Sequence, residues 1–288
     1  MKQPSRRNRN IGTAKQGHGQ SNRMVIPEDY YKDRSYKQKF GKHVKVQQKI
    51  RDKTYTIVVE ETRNTCIHAC TVEDILLLLT FLPEKDLEGL NLIFLRQPKR
   101  KEELMSPVWG RYGWFPIYGD GITLEALDYT KKLYMPKQQT VERKKEFLRL
   151  QKDGHRYEEQ KRYFVAEPRP ANVRHGQLFR TFLHEIGHHV DWMNQVERPI
   201  ELLVDWEERE KQGMDEDLAW HSYAQESDAI YAAYKQKSMK AKEDFAHRYA
   251  EELAQKLKQQ DLIPFPRRLS ATFMNQWNLR IEDFELSS

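Results

Sequence analysis

Apolar positions along the chain change texture about half-way. In the first half they come in short runs. Thr54–Glu60 (TYTIVVE) and Leu90–Leu95 (LNLIFL) are β-branched, aromatic or continuously apolar, and predict buried strands. Ile122–Leu127 (ITLEAL) predicts a third strand, entered through a turn at Gly119-Asp120-Gly121. Gly110–Tyr118 alternates loosely around glycines and Pro116, which suits an edge strand because proline gives the ladder no donor. Thr71–Leu82 reads as a helix with Thr71 as N-cap, Glu73 and Asp74 in the first turn and Pro83 as its stop.

Beyond these runs the period lengthens. Thr140–Arg162 is heavily charged, with sparse apolar positions at Phe147, Leu148 and Leu150, and predicts a solvated helix broken near Gly154. Arg162–Glu167 fits a short strand. After Pro170 the pattern is helical to the end, with breaks at Pro199, near Gly213, and at Pro264 and Pro266. There is no internal repeat. Strands first and helices after argue for an α+β body rather than alternating βαβ units.

Composition narrows the class. Of 288 residues, 38% are hydrophobic and 32% charged, enough for one core of roughly 150–200 residues with solvated extensions. No run reaches the ~18 apolar residues of a membrane span; the longest, Ile75–Leu79, is core by its length. The first twenty residues are basic and carry no apolar signal segment, which favours the cytoplasm, with a toxin exported by another route as the alternative. Cys66 and Cys70 are too few for a disulfide framework and read as two buried thiols. The net charge of +6 is uneven: residues 1–52 carry 14 Lys and Arg against 4 Asp and Glu, and the remainder 35 against 39. The expected division is a basic tail over 1–52, disordered at least to about residue 24, and a folded domain over 53–288. Such a tail suits contact with nucleic acid or an acidic partner, and equally suits a solubilising role.

Chemistry concentrates at His184-Glu185-Ile186-Gly187-His188. Phe179, Phe182, Leu183, Ile186, Val190 and Met193 follow helical spacing toward a core, whereas His184, His188 and Asp191 fall on another face. Two imidazoles one turn apart can share a zinc ion at about 2.0–2.1 Å. In H-E-x-x-H helices the Glu, here Glu185, is the general base toward the metal-bound water. Gly187 costs a helix interior ~1 kcal/mol, so its presence suggests close approach by another segment. Asp191, one turn past His188, suits either a hold on that ligand's imidazole or a solvent-facing position; His189 reads as structural.

A catalytic zinc takes three protein ligands. The extended pattern with a third His fails, because Asp191 and Asn194 stand where its Gly and His would be. Downstream candidates are Glu243, Glu226, Asp228 and His221. Glu243 opens Glu243-Asp244-Phe245-Ala246-His247-Arg248-Tyr249-Ala250, where small Ala246 and Ala250 would let a helix approach Gly187 and aim Glu243 at the metal.

The site helix followed 55 residues after His188 by Glu243-Asp244-Phe245-Ala246 resembles the gluzincin pattern, nearest the branch that includes the catalytic domain of anthrax lethal factor. That resemblance implies a zincin-like fold, a small mixed sheet above the site helix, with a helical C-terminal half supplying Glu243 as third ligand to one zinc per chain. It also implies extended substrate laid along an edge strand, for which Gly110–Tyr118 is the candidate. The motifs cover about 20 residues of the chain. Members often carry a Tyr shortly before the third-ligand Glu, as oxyanion donor. Here Gln236 stands seven residues before Glu243, and Tyr234 is the nearest candidate, ahead of Tyr231.

The expected function is a zinc metallopeptidase acting on a protein or peptide, with His184, His188 and Glu243 on the metal, Glu185 as base and Tyr234 as oxyanion donor. Two alternatives stand beside it: a catalytically idle zincin-like binding module, and a protease recruited to nucleic acid or an acidic partner by its tail. A purely structural zinc site fits less well, since those usually close the sphere with four Cys or His.

Overall fold

In the computed structural model, which describes residues 40–98, 109–115 and 118–286, the strand-forming runs assemble into one five-stranded mixed sheet. Its strands are β1 (His43–Ile50), β2 (Lys53–Glu60), β4 (Leu90–Arg96), β5 (Gly110–Phe115) and β6 (Gly119–Glu125), in the order β1-β2-β4-β6-β5. β1 and β2 form an antiparallel hairpin; β2, β4 and β6 run parallel; β5 returns antiparallel along β6 and is an edge among the described residues. Two short strands, β3 (Cys66–Ile67) and β7 (Leu127–Asp128), pair with each other. β8 (Leu133–Pro136), β9 (Glu158–Glu159) and β10 (Tyr163–Ala166) make a separate three-stranded sheet.

Among the described residues five helices have ten or more residues: α1 (Val72–Phe81), α2 (Val141–Lys152), α3 (Phe182–Trp192), α4 (Glu216–Gln236) and α5 (Met239–Gln259). The body is therefore mixed α+β, with the sheet in the N-terminal half and helices in the C-terminal half. No helix among the described residues is long and apolar enough to cross a membrane.

Alternation builds the core. Tyr55, Ile57 and Val59, then Ile93 and Leu95, then Ile122 and Leu124 present one face of the sheet. Phe182, Leu183, Ile186 and Val190 of α3, and Ala250, Leu253 and Leu257 of α5, belong to the same cluster. Each fully buried side chain such as Leu183 or Ile186 contributes roughly 1.5–3 kcal/mol. This packing turns the other face of α3 toward β5 and the site.

Polar contacts fix the approach to α3. Thr71 and Asp74 cap α1 reciprocally, each side chain taking the other's backbone N–H. Asp74 is fully buried and also receives a two-point fork from Arg174, at 2.8 and 2.7 Å. Arg174 lies on the helical segment Pro170–Gly176, which runs through a wide π-turn (Gln177–Thr181) directly into α3. The Gln177 amide donates to the carbonyls of Trp109 and Glu125, tying that turn to the sheet edge.

Several expectations need correction. His43–Ile50 is a strand of the main sheet, so the folded body starts ahead of residue 53 and the 1–52 tail is too long. Val44, Val46 and Ile50 lie on its more buried face while Lys45, Gln47 and Lys49 are exposed; the abundance of Lys and Gln conceals that alternation in composition. The expectation of disorder to about residue 24 falls outside the described residues. Gly119–Gly121 opens β6 rather than forming a separate turn. The charged helix ends at Lys152, and β8 is an unanticipated strand. The chain stays helical through Pro199 as far as Glu201. Cys66 and Cys70 are buried free thiols, and burial pushes the Cys70 thiol up.

Candidate metal centre

Helix periodicity brings His184 and His188 onto one face of α3, and the structure brings Glu243 of α5 to meet them. His184 Nε2 and His188 Nε2 are 3.1 Å apart. Glu243 places Oε2 3.2 Å from His184 Nε2 and Oε1 3.4 Å from His188 Nε2. The carboxylate thus faces both imidazoles, one oxygen toward each. This arrangement rests on helix–helix contact: a Cβ on Gly187 would lie 2.9 Å from the Cα and the carbonyl oxygen of Ala246, so only glycine permits this approach. Tyr249, one turn and a half past Glu243, anchors α5 by donating its hydroxyl to Asp86 at 2.6 Å.

The electrostatics are those of a site wanting positive charge. Hydrogen bonds to His184 and His188 hold the Glu243 carboxyl far below the usual range, although burial opposes them. Burial disfavours protonation of His188, but Glu243 and Glu185 outweigh it and raise its pKa. Two imidazole nitrogens at 3.1 Å must share a proton or a cation, since their lone pairs otherwise repel.

Glu185 points away from that cluster's helix face toward the sheet edge. It is 7% exposed, and its Oε2 accepts the backbone N–H of Tyr112 in β5 at 2.7 Å. Burial raises its pKa, against the pull of His184, His188 and the Tyr112 N–H. Tyr112 pairs with Ile122 across the ladder, yet its N–H is spent on Glu185, so the free side of β5 faces the site helix.

His247 is the residue that sequence reasoning passed over. It stands four after Glu243, on the same face of α5. His184, Glu243 and His247 each offer a ligand atom within 4.8 Å of the others, a cluster that could hold a metal ion. The His247 ring lies against His184, with centroids 4.2 Å apart and planes at 37°. Arg149 of α2 reaches its Nε2 at 3.2 Å. Burial, with His184 and Arg149 nearby, lowers the His247 pKa to about 4. The spacing Glu243-x-x-x-His247, which repeats the His184–His188 spacing, was the available signal.

A cavity of about 1050 Å³ meets the cluster at His184 and His247. Gly110 and Arg111 of β5, Trp109, Tyr134 and Phe179 also line it.

Other expected site residues lie elsewhere. The Tyr234 hydroxyl donates to Asp191 at 3.3 Å, not to the His–Glu cluster. Asp191 is buried and receives both Tyr234 and Lys237, the latter at 2.6 Å to each oxygen. Its hydrogen bonds therefore stabilise the start of the α4–α5 connection rather than orienting His188. Glu226 is held by Arg209 at 2.7 and 2.8 Å and by Ser222, which commits it away from the His184–Glu243 cluster. His189 is fully buried and donates from Nε2 to the Glu88 carbonyl at 2.6 Å, the structural role expected of it.

Comparison with known proteins finds no match: no family model, no curated protein and no solved structure.

Proposed function

We propose that the chain is a zinc-dependent metallopeptidase of zincin-like architecture, with His184, His188 and Glu243 as metal ligands and Glu185 as general base. One observation carries this reading. The three candidate ligand groups stand 3.1, 3.2 and 3.4 Å apart. Ligand atoms at 2.0–2.1 Å from a tetrahedral zinc stand about 3.3–3.4 Å apart, close to the separation of the two imidazole nitrogens and to that of each nitrogen from its nearer Glu243 oxygen. Two neutral imidazoles and one carboxylate also form the donor set of catalytic rather than structural zinc, with one position left for water or substrate.

Zinc, when bound, supplies Lewis acidity toward a water and a carbonyl oxygen. The chain does the rest. Glu185 accepts the proton of the attacking water and returns one to the leaving amine. Its Tyr112 N–H bond fixes one oxygen and leaves the other for that work. The free side of β5 offers backbone groups to an extended peptide, and the cavity beside His184 receives side chains.

Metal analysis with a cleavage assay tests the reading. Wild type should hold one zinc; His184→Ala and Glu243→Ala should lose it. Glu185→Gln should keep zinc and lose at least ~10²-fold in turnover. Zinc retained by Glu243→Ala, or hydrolysis retained by Glu185→Gln, would refute the assignment of that residue.

A further inference from the structure

We propose that His247, held by Arg149, is the hydrogen-bond donor to the substrate carbonyl oxygen, the role that the sequence suggests for Tyr234; the proposal rests on the peptidase reading above. Tyr234 is committed to buried Asp191. The cluster otherwise lacks a donor from that hydroxyl, and an oxyanion without one loses roughly 10²–10³ in rate.

Arg149 decides what His247 can do. A guanidinium has only donors, so the Nε2 that faces it at 3.2 Å must accept, and the imidazole proton resides on Nδ1. A protonated His247 would set N–H against N–H. Glu146 and Glu251 also lie beside Arg149, at 3.8 and 3.6 Å. The structure thus presets one tautomer, with a single donor, on a ring packed at a tilt against a metal-ligand candidate.

Position supports the same role. Both His184 and His247 border the cavity, so a carbonyl brought from that side to the cluster passes the His247 ring. His247 also has a nitrogen within 4.8 Å of the ligand atoms of His184 and Glu243, so the ring borders the same cluster. His247 is further set by α5 itself, the helix that places Glu243, so donor and ligand move together.

Two measurements on the full chain test this. The first is nitrogen-15 imidazole spectroscopy of the metal-free protein: His247 should be the Nδ1–H tautomer, and Arg149→Met should convert it to a mixture. An Nε2–H tautomer in wild type, or no change in the variant, overturns the proposal. The second compares zinc-loaded wild type with His247→Ala and His247→Gln, on the best-cleaved member of a degenerate decapeptide library. Zinc should stay at one per chain while kcat falls about 10²–10³-fold with KM nearly constant, Gln restoring part of the loss. Loss of zinc in His247→Ala makes the residue a ligand and overturns the donor role, as does a change in KM alone. Wild type that cleaves nothing refutes the peptidase reading, and the donor role with it. Wild-type cleavage that His247→Ala leaves intact refutes the donor role only.

Discussion

Gly187 lies directly against the backbone of Ala246: a Cβ added at residue 187 would come within 2.9 Å of both the Ala246 Cα and its carbonyl oxygen. Main chain cannot swing aside as a side chain can, so this contact sets the separation of α3 and α5. Ala246 is three residues past Glu243, and the carboxylate therefore reaches the histidines only because residue 187 has no side chain. Gly187→Ala should cost about 1–3 kcal/mol by overpacking, despite the ~1 kcal/mol gained in helix propensity. It should also weaken zinc binding by at least ~10-fold. Chemical denaturation and a competitive zinc titration measure both; wild-type values in each would mean that the helices separate at little cost.

The pair Asp74–Arg174 holds the segment that leads into the site helix. Asp74 is fully buried and the Arg174 side chain 9% exposed, so the bond is screened little by solvent. Arg174→Met would leave a buried carboxylate with backbone N–H donors but without its cation, and should destabilise by roughly 3–5 kcal/mol. A urea midpoint shift equivalent to less than ~1 kcal/mol would show that the carboxylate finds water or another partner.

Acid should weaken the fold through His68. Its ring is 2% exposed, its Nε2 donates to the Glu60 carbonyl at 2.8 Å, and Nδ1 has no partner among the described residues. Burial pushes its pKa down, against the Glu60 carbonyl and Asp283. The folded state then binds this proton less tightly than the unfolded chain, whose His titrates near ~6.5. Its contribution is complete above that value and is lost as pH falls below it, at up to about 1.4 kcal/mol per pH unit. Stability measured from pH 7.5 to 5 should decline less steeply in His68→Gln; equal slopes would assign the acid sensitivity to other groups.

Asp191 should matter to stability and not to metal content. Asp191→Ala leaves Lys237 without its buried partner and should lower the melting temperature, with zinc still at one per chain. Tyr234→Phe removes one bond of 3.3 Å, worth ~0.5–1.5 kcal/mol, and should leave turnover within about threefold. A hundredfold fall in turnover for Tyr234→Phe would return the hydroxyl to the reaction.

Local pattern carried the strands at 54–60 and 90–95, the capped helix after Thr71 and the site helix, because period and caps are encoded within a few residues. Gly187 was legible too: a glycine that weakens its own helix implies a neighbour, and Ala246 proves to be that neighbour. β1 was harder, since three apolar residues among lysines and glutamines resemble a solvated tail until a partner strand is present. β8 and β9 are two to four residues long and exist through pairing with β10. Neither is long enough to show a period of its own.

The two histidines one turn apart, and the Glu between them, are facts of helix geometry that a dozen residues suffice to state. Which carboxylate completes the cluster is a different matter. Glu226 and Glu243 are chemically alike, and their fates diverge because Arg209 claims one while the Gly187–Ala246 contact delivers the other. The same holds for Tyr234, drawn off by Asp191, and for His247, oriented by Arg149 ninety-eight residues earlier in the chain. A short stretch dictates which face a side chain occupies, but its partner depends on which distant segments the core presses together.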